Sequence, residues 1–271
     1  MEHLIRTFGR IHGKKLSKHQ QNLIDSLLPN LIPRQGWRGG GAADGVVRIL
    51  EIGFGAGEHI IHLLQNPNFH ITGADPFING VASLLSKLIK NSPPVEESPR
   101  SGGGGSNLNI KTQTHPGTAE PCHPSTGGEL LDRLAIHPGD VRELLIKNPD
   151  IKFDLIYILH PDPWPKAKHE KRRLLQSEFL NVLDEHLNVG GLIIFGTDHT
   201  DYFNWAESQI LTSAFIMLKH DSFFPPASGL NTRYKVKNKF GSERPLYAVL
   251  ARRTEDFPSP DRLAKLDLTL A

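Results

Sequence analysis

The chain has a single cysteine, Cys122, among its 271 residues. An internal disulfide is therefore excluded, as is a zinc cluster built on cysteine thiolates, and such thiol-poor usage fits a reducing compartment. Long apolar runs are missing too. No stretch approaches the ~20 apolar residues of a membrane-spanning helix, and charges interrupt the N-terminus every few residues, so it has no signal-peptide core. These absences predict a cytoplasmic protein with no membrane association. Net charge is small, +2 at pH 7, but unevenly spread. Arg6, Arg10, Lys14, Lys15 and Lys18 stand against Glu2 alone in residues 1–20. A basic arm of this kind suits an anionic partner, nucleic acid ahead of membrane because the arm lacks a sustained apolar face; a solvated surface run has the same composition. Histidine is plentiful, at fourteen. His59 and His62 would share a helix face, but no third ligand stands at metal-binding spacing, and no metal is expected.

The length allows one large α/β domain with extensions, or at most two smaller domains. Ser17 is placed to cap a helix over "KHQQNLIDSLLP", with Leu23, Leu27 and Leu28 on its apolar face and Pro29 at its end. After the glycine-rich joint "WRGGGAADG", alternation begins: "VVRILEIG" reads as a buried strand, "EHIIHLLQN" as an amphipathic helix, "FHITGAD" as a strand and "GVASLLSKLIK" as a helix. Residues 91–128 break the pattern with a low-complexity stretch that cannot bury enough apolar surface to order itself, which predicts a disordered insertion. Alternation resumes with the strand in "LLDRLAIHPGD", the helix "VRELLIK", the strand "FDLIYIL", a helix over "EKRRLLQSEFLNVLDEHL" and the strand "GLIIFGTD". A helix near "YFNWAESQILTS", a strand near "AFIMLKH", the polar segment "NTRYKVKNKF" and a last strand "PLYAVLAR" follow. Alternation with apolar strands predicts a mostly parallel sheet with helices on both faces. The boundaries read as a basic arm and helix over 1–40, a domain over 41–253 and a tail over 254–271.

In such sheets ligands bind beyond the carboxyl ends of the strands. "LEIGFGAGEH" puts Glu51, Gly53, Gly55 and Gly57 at the first strand-to-helix turn, where glycines let backbone approach a ligand closely. The spacing differs from that of dinucleotide-binding turns, and Glu58 at the helix start would repel a pyrophosphate. S-adenosylmethionine, with an ammonium, a sulfonium and no phosphate, fits better. Glu51 could accept from such a cation, Asp75 at the second strand end could take two ribose hydroxyls, and Asp140 at the third could accept from an adenine amine. Each acid alone could equally be a helix cap. At the fourth strand end stands "HPDPWPKAKHEKRR". Three prolines in six residues cannot continue a central strand, so this is a stiffened loop of the kind that carries catalytic groups.

The chain resembles the bacterial tRNA (guanine-N7-)-methyltransferase family. "FGRIHGKKLSKHQ", "LEIGFGAGEH", "DPFINGVA", "PDPWPKAKHEKRR", "GTDHTDYFNW" and "TRYKVKNK" match in order, and PDPW followed by lysine and a basic run is the specific part. The resemblance implies a Rossmann-like class I methyltransferase fold with an antiparallel last strand. It also implies S-adenosylmethionine as cofactor, tRNA as partner, methylation of a variable-loop guanine at N7, and activity without a protein partner. Carried over by position, Glu51, Asp75, Asp140 and Asp162 are cofactor-binding, with Asp162 also in the active site, while Lys166, Asp198, Thr232, Arg233, Tyr234 and Lys235 are substrate-binding. Two positions depart from the family pattern: Lys235 replaces a usual Glu, and Asp75 replaces a more frequent Glu.

Guanine N7 needs no proton removed before attack, so alignment dominates, and a carboxylate at Asp162 could hold the purine while stabilising its developing positive charge. Trp164 offers a face for stacking; alternatively, Asp162 and Trp164 form a turn and a core plug. Two other functions remain compatible with the sequence. One is an amino-methyltransferase on DNA or protein, because PDPW loosely resembles an Asp-Pro-Pro-aromatic loop. The other is a non-catalytic RNA-binding relative, for which Lys235 is the main support.

Overall fold

In the computed structural model, residues 9, 11, 13–33, 45–91, 132–218 and 246–253 are described. The chain enters through α1 (Lys18–Ser26). Ser17 Oγ accepts from Gln20 N at 3.2 Å while Gln20 Oε1 accepts from Ser17 N at 3.0 Å, a reciprocal cap at the expected residue. The helix does not run on to Pro29. It stops at Ser26, and a short α2 (Leu28–Leu31) takes Pro29 into its first turn, where a missing N–H costs nothing.

Alternation then builds β1 (Val47–Ile52), α3 (Glu58–Leu63), β2 (Phe69–Ala74), α4 (Ile78–Asn91), β3 (Leu134–His137), α5 (Val141–Lys147) and β4 (Phe153–Leu159). It continues through α6 (Ser177–Glu185), β5 (Leu187–Thr197), α7 (Thr200–Leu211), β6 (Phe215–Leu218) and β7 (Leu246–Arg252). These make one seven-stranded sheet in the order β3-β2-β1-β4-β5-β7-β6. The pairs among β3, β2, β1, β4 and β5 are parallel, and β7 runs antiparallel to both β5 and β6. This is the Rossmann-like methyltransferase arrangement, antiparallel last strand included. Order reverses between β1 and β4, so the ligand crevice of such a sheet lies at their carboxyl ends.

Apolar residues point alternately to the two faces of the strands. Ile49, Ile71, Leu155, Ile194 and Val249 pack with Leu23, Ile60 and Leu84 on one side. Leu50, Ile156, Ile193 and Leu250 pack with Leu144, Leu180 and Ile210 on the other. Both faces are covered, which is why the strands read as near-continuous hydrophobic runs.

One predicted helix divides in two. The basic run occupies a short 3-10 helix over Ala167–Arg172, Arg173 is extended, and α6 begins only at Ser177. Gln176 holds the break, its Nε2 donating to Glu170 O at 3.0 Å and Arg173 O at 3.1 Å. The cations therefore do not open an α-helix, and no conflict between them and a helix dipole arises. Of the predicted insertion only Asn91 is described, as the last residue of α4. The rest of 91–128, the polar segment carrying Thr232 to Lys235 and the tail from Thr254 lie outside the described residues.

Candidate active site

A cavity of about 480 Å³ opens at the carboxyl ends of β1, β2 and β4, within the size range of cofactor pockets. Its floor is the turn after β1. Gly53, Gly55 and Gly57 have φ of 75°, 56° and 78°, a left-handed conformation that a side chain would oppose. A Cβ added at Gly53 or Gly55 would meet nothing within 4 Å, so this backbone faces open space. Gly80 brings the first turn of α4 against the loop; a Cβ there would lie 2.2 Å from Gly55 O.

Asp75 follows β2 directly and lines the cavity. It is buried, its Oδ2 accepting from Gly55 N and its Oδ1 from Phe77 N, each at 2.7 Å. Loss of water pushes its carboxyl up to about 6; the Glu51 and Asp162 charges push the same way, against the two backbone donors. Each oxygen keeps a further lone pair for a ligand hydroxyl. Asp140 also lines the cavity, but it serves as the cap of α5 and is gripped by a neighbour. Arg142 donates its N and Nε to Oδ1 at 2.9 and 2.8 Å and its Nη2 to Oδ2 at 2.7 Å. Glu51 does not reach the cavity wall. Its Oε2 lies 3.0 Å from His59 Nδ1, and the His59 ring stands edge-on to Tyr157 with centroids 4.6 Å apart.

The proline loop contributes His160, Pro161, Asp162 and Trp164 to the lining. It is bracketed by two non-glycine residues of positive φ, His160 at 50° and Trp164 at 43°. Such strain costs on the order of 1–3 kcal/mol per residue and collects at functional sites. Asp162 is exposed at the cavity mouth, yet the walls remove enough water to push its carboxyl above the usual range. His160, whose N donates to Gly196 O at 2.7 Å, is buried beside Asp198, with Nδ1 and Oδ1 3.9 Å apart. Burial holds its imidazole below the usual range although the Asp198 charge pulls upward. Asp198 is itself buried and does not line the cavity, and the cap of α7 is the next residue, His199, whose Nδ1 accepts from Tyr202 N at 3.3 Å. Trp164 meets His169 edge-on at 5.7 Å and carries the Arg172 guanidinium 5.0 Å from its ring centre, so a cation lies against one face of the ring. Lys166 is exposed beyond the mouth and is not part of the lining.

The arm reaches this site. Gly9 lines the cavity, and a Cβ on it would lie 3.8 Å from Asp162 Oδ2. Ile11 O accepts from Ile78 N at 3.3 Å, and Asn79 clasps the chain by accepting from Gly13 N at 2.8 Å and donating to Lys14 O at 2.6 Å. Of the predicted residues, then, the cavity brings together Gly53, Gly55, Asp75, Asp140 and Asp162. Sequence reasoning missed Gly9, Phe77, Arg142 and His160 as lining. Only His160, first after an apolar strand and before Pro161, carried a signal that could have found it.

Comparison with known proteins agrees with this architecture. A family model described as "Putative methyltransferase" matches residues 46–243. A tRNA (guanine-N(7)-)-methyltransferase of Erythrobacter litoralis is 33% identical over 266 residues, covering 89% of this chain and 91% of the relative. That of Caulobacter vibrioides is 32% identical over 254 residues, covering 92% and 95%. That of Sphingopyxis alaskensis is 37% identical over 207 residues, covering 75% and 73%.

Proposed function

The chain belongs to the tRNA (guanine-N(7)-)-methyltransferase family, and we propose that it moves a methyl group from S-adenosylmethionine to N7 of a guanine in the tRNA variable loop, at the cavity beneath Asp162. When bound, the cofactor supplies an electrophilic methyl carbon on a sulfonium. The residues present fit it: Gly53 and Gly55 leave open backbone where a ligand can lie, and Asp75 and Asp162 offer carboxylates rather than a phosphate-binding set. Asp75 accepts the ribose hydroxyls on the lone pairs left by Gly55 and Phe77. Asp140 takes the adenine amine on a carboxylate that Arg142 holds still. Glu51, paired to His59, acts on the cationic ligand through its charge.

Guanine N7 has a lone pair available for attack, so the chain's task is alignment, which can contribute on the order of 7–11 kcal/mol where geometry is favourable. Asp162 accepts from the purine N1–H and exocyclic amine, leaving the N7 edge turned toward the cofactor. Its charge stabilises the positive charge that the purine acquires. Lys166, Thr232, Arg233, Tyr234 and Lys235 are the proposed tRNA contacts, with the exposed Lys14, Lys15 and Lys18 on the phosphate backbone; Asp198, buried and outside the cavity lining, is not among them. The observation that carries this reading is that Asp162 and Asp75 line one cavity together with the Gly53 and Gly55 turn.

The test is incubation with methyl-labelled cofactor and tRNA, followed by mapping of 7-methylguanosine. Asp162→Ala should lose on the order of 100- to 1000-fold in turnover with its circular dichroism unchanged. Near-normal turnover in that variant removes the role of Asp162, and label on an exocyclic amine or on protein would refute the N7 assignment.

A further inference from the structure

The Asp162 loop has an unusual mechanical problem. It is bracketed by strained residues at His160 and Trp164, and its prolines at 161, 163 and 165 have no N–H with which to tie themselves down. Whatever holds the loop must therefore donate to its carbonyls or fix its ends. At the first end, β5 does this, with Gly196 O accepting from His160 N at 2.7 Å. At the second end the hold is a side chain. Arg173 Nε donates to Pro163 O at 2.9 Å and its Nη2 to Trp164 O at 3.5 Å.

Arg173 is itself firmly seated. It is only 4% exposed, its Nη1 lies 3.5 Å from Glu170 Oε1, and its guanidinium lies 4.9 Å from the Trp205 ring centre and 5.3 Å from that of Tyr202. Both aromatics belong to α7, and Tyr202 OH also accepts from Leu175 N at 3.4 Å. The planar fork thus couples a rigid helix to two successive carbonyls directly after Asp162. A lysine, with one point charge and no plane to stack, cannot reproduce both contacts. Arg173 does not line the cavity, so it does not touch a ligand there.

We propose that Arg173 is a positioning residue for methyl transfer: by fixing the carbonyls of Pro163 and Trp164 against α7 it sets the aim of the Asp162 carboxylate. This rests on Asp162 being the guanine-facing group. Arg173→Lys should lose on the order of 100-fold in single-turnover rate, the effect of a misplacement of about 1 Å. Its cofactor Kd and its KM for tRNA should stay within about threefold, because the ground-state contacts survive. Far-UV circular dichroism and the melting midpoint report that the fold is kept, and Arg173→Met is the harsher companion.

The deciding measurement is the cycle with Asp162→Asn. If Arg173 acts through Asp162, adding Arg173→Lys to Asp162→Asn causes less than about threefold further loss. An equal loss in both backgrounds would overturn the proposal, because Arg173 would then act on the fold at large. A normal rate in Arg173→Lys beside a severely impaired Asp162→Asn would overturn it as well while leaving Asp162 in place. A normal rate in Asp162→Asn would overturn the Asp162 assignment itself, whatever Arg173 does.

Discussion

Two glycines of the same loop separate backbone strain from steric collision. Gly53 and Gly57 share a left-handed φ, 75° and 78°, but a methyl group added to them meets different surroundings. At 57 it would lie 2.6 Å from Leu84 Cδ1 and 2.8 Å from Leu84 Cβ, whereas at 53 it meets nothing within 4 Å. Leu84 is fully buried on α4, so it has little room to retreat. Left-handed backbone costs an alanine about 1–2 kcal/mol, and forcing an extra methyl into a packed core adds about 1–3 kcal/mol. Gly53→Ala should then lose about 1.5 kcal/mol from backbone strain and Gly57→Ala about 3–4 kcal/mol from strain and overpacking together. At about 2–4 °C per kcal/mol for a domain of this size, the melting midpoints should fall by about 3–6 °C and 6–16 °C. Thermal melts of the cofactor-free variants measure this, and calorimetric titration with S-adenosylmethionine measures the second consequence. The methyl at 53 projects into open cavity, so that variant should bind cofactor at least about tenfold more weakly, a loss of about 1.4 kcal/mol. Equal melting midpoints would refute the Leu84 collision. Unchanged cofactor affinity in Gly53→Ala would refute the placement of ligand over the open side of the turn.

Asp75 predicts a pH dependence of defined sign. Its carboxyl is raised to about 6, and a cationic ligand favours the ionised form, so cofactor affinity should rise as pH increases through about 6. Below that it should fall by up to about tenfold per pH unit, and Asp75→Asn should flatten the profile in the same titration. In the cofactor-free protein the sign reverses. The folded state binds this proton more tightly than the unfolded chain does, so the contribution of Asp75 to stability grows as pH falls from about 6 toward 4, and urea melts of the Asn variant should lack it. For the basic arm, changing Lys14 and Lys15 together to alanine should make the slope of log affinity for tRNA against log salt shallower, by about one for each phosphate that the arm no longer neutralises. An unchanged slope would show that these exposed lysines do not touch the backbone.

The strands were legible because burial on both faces leaves a simple trace. "FDLIYIL" and "VRELLIK" match β4 and α5 residue for residue, and Ser17 announced its cap. The helix over 170–187 was misread for a physical reason. Its apolar spacing continues through Leu174 and Leu175, and only the tertiary seat of Arg173 against α7 and the side chain of Gln176 explain why the backbone straightens there. The site acids were legible as a set, since each stands at or shortly after the carboxyl end of a strand, but their division of labour was not. Whether an acid faces a cavity or a neighbour depends on one side-chain pairing, His59 for Glu51 and Arg142 for Asp140, and periodicity carries no trace of such pairs.

That division explains how so many carboxylates can share one end of a sheet. A like charge raises a neighbouring carboxyl's pKa, as Glu51 and Asp162 do to Asp75, and the sheet would be penalised if all of them stood unpaired. Glu51 meets His59, Asp140 meets the Arg142 fork, and Asp198 lies beside His160. Asp75 and Asp162 form no ion pair among the described residues, and both line the cavity. What is left facing the crevice is therefore a negative field from two carboxyls, with their protons held more tightly than usual. A cation entering this cavity would lower both costs at once, so on the proposed function the charge that makes the cavity electrostatically uncomfortable is the one that would favour a sulfonium and, in turn, a purine becoming positive at N7.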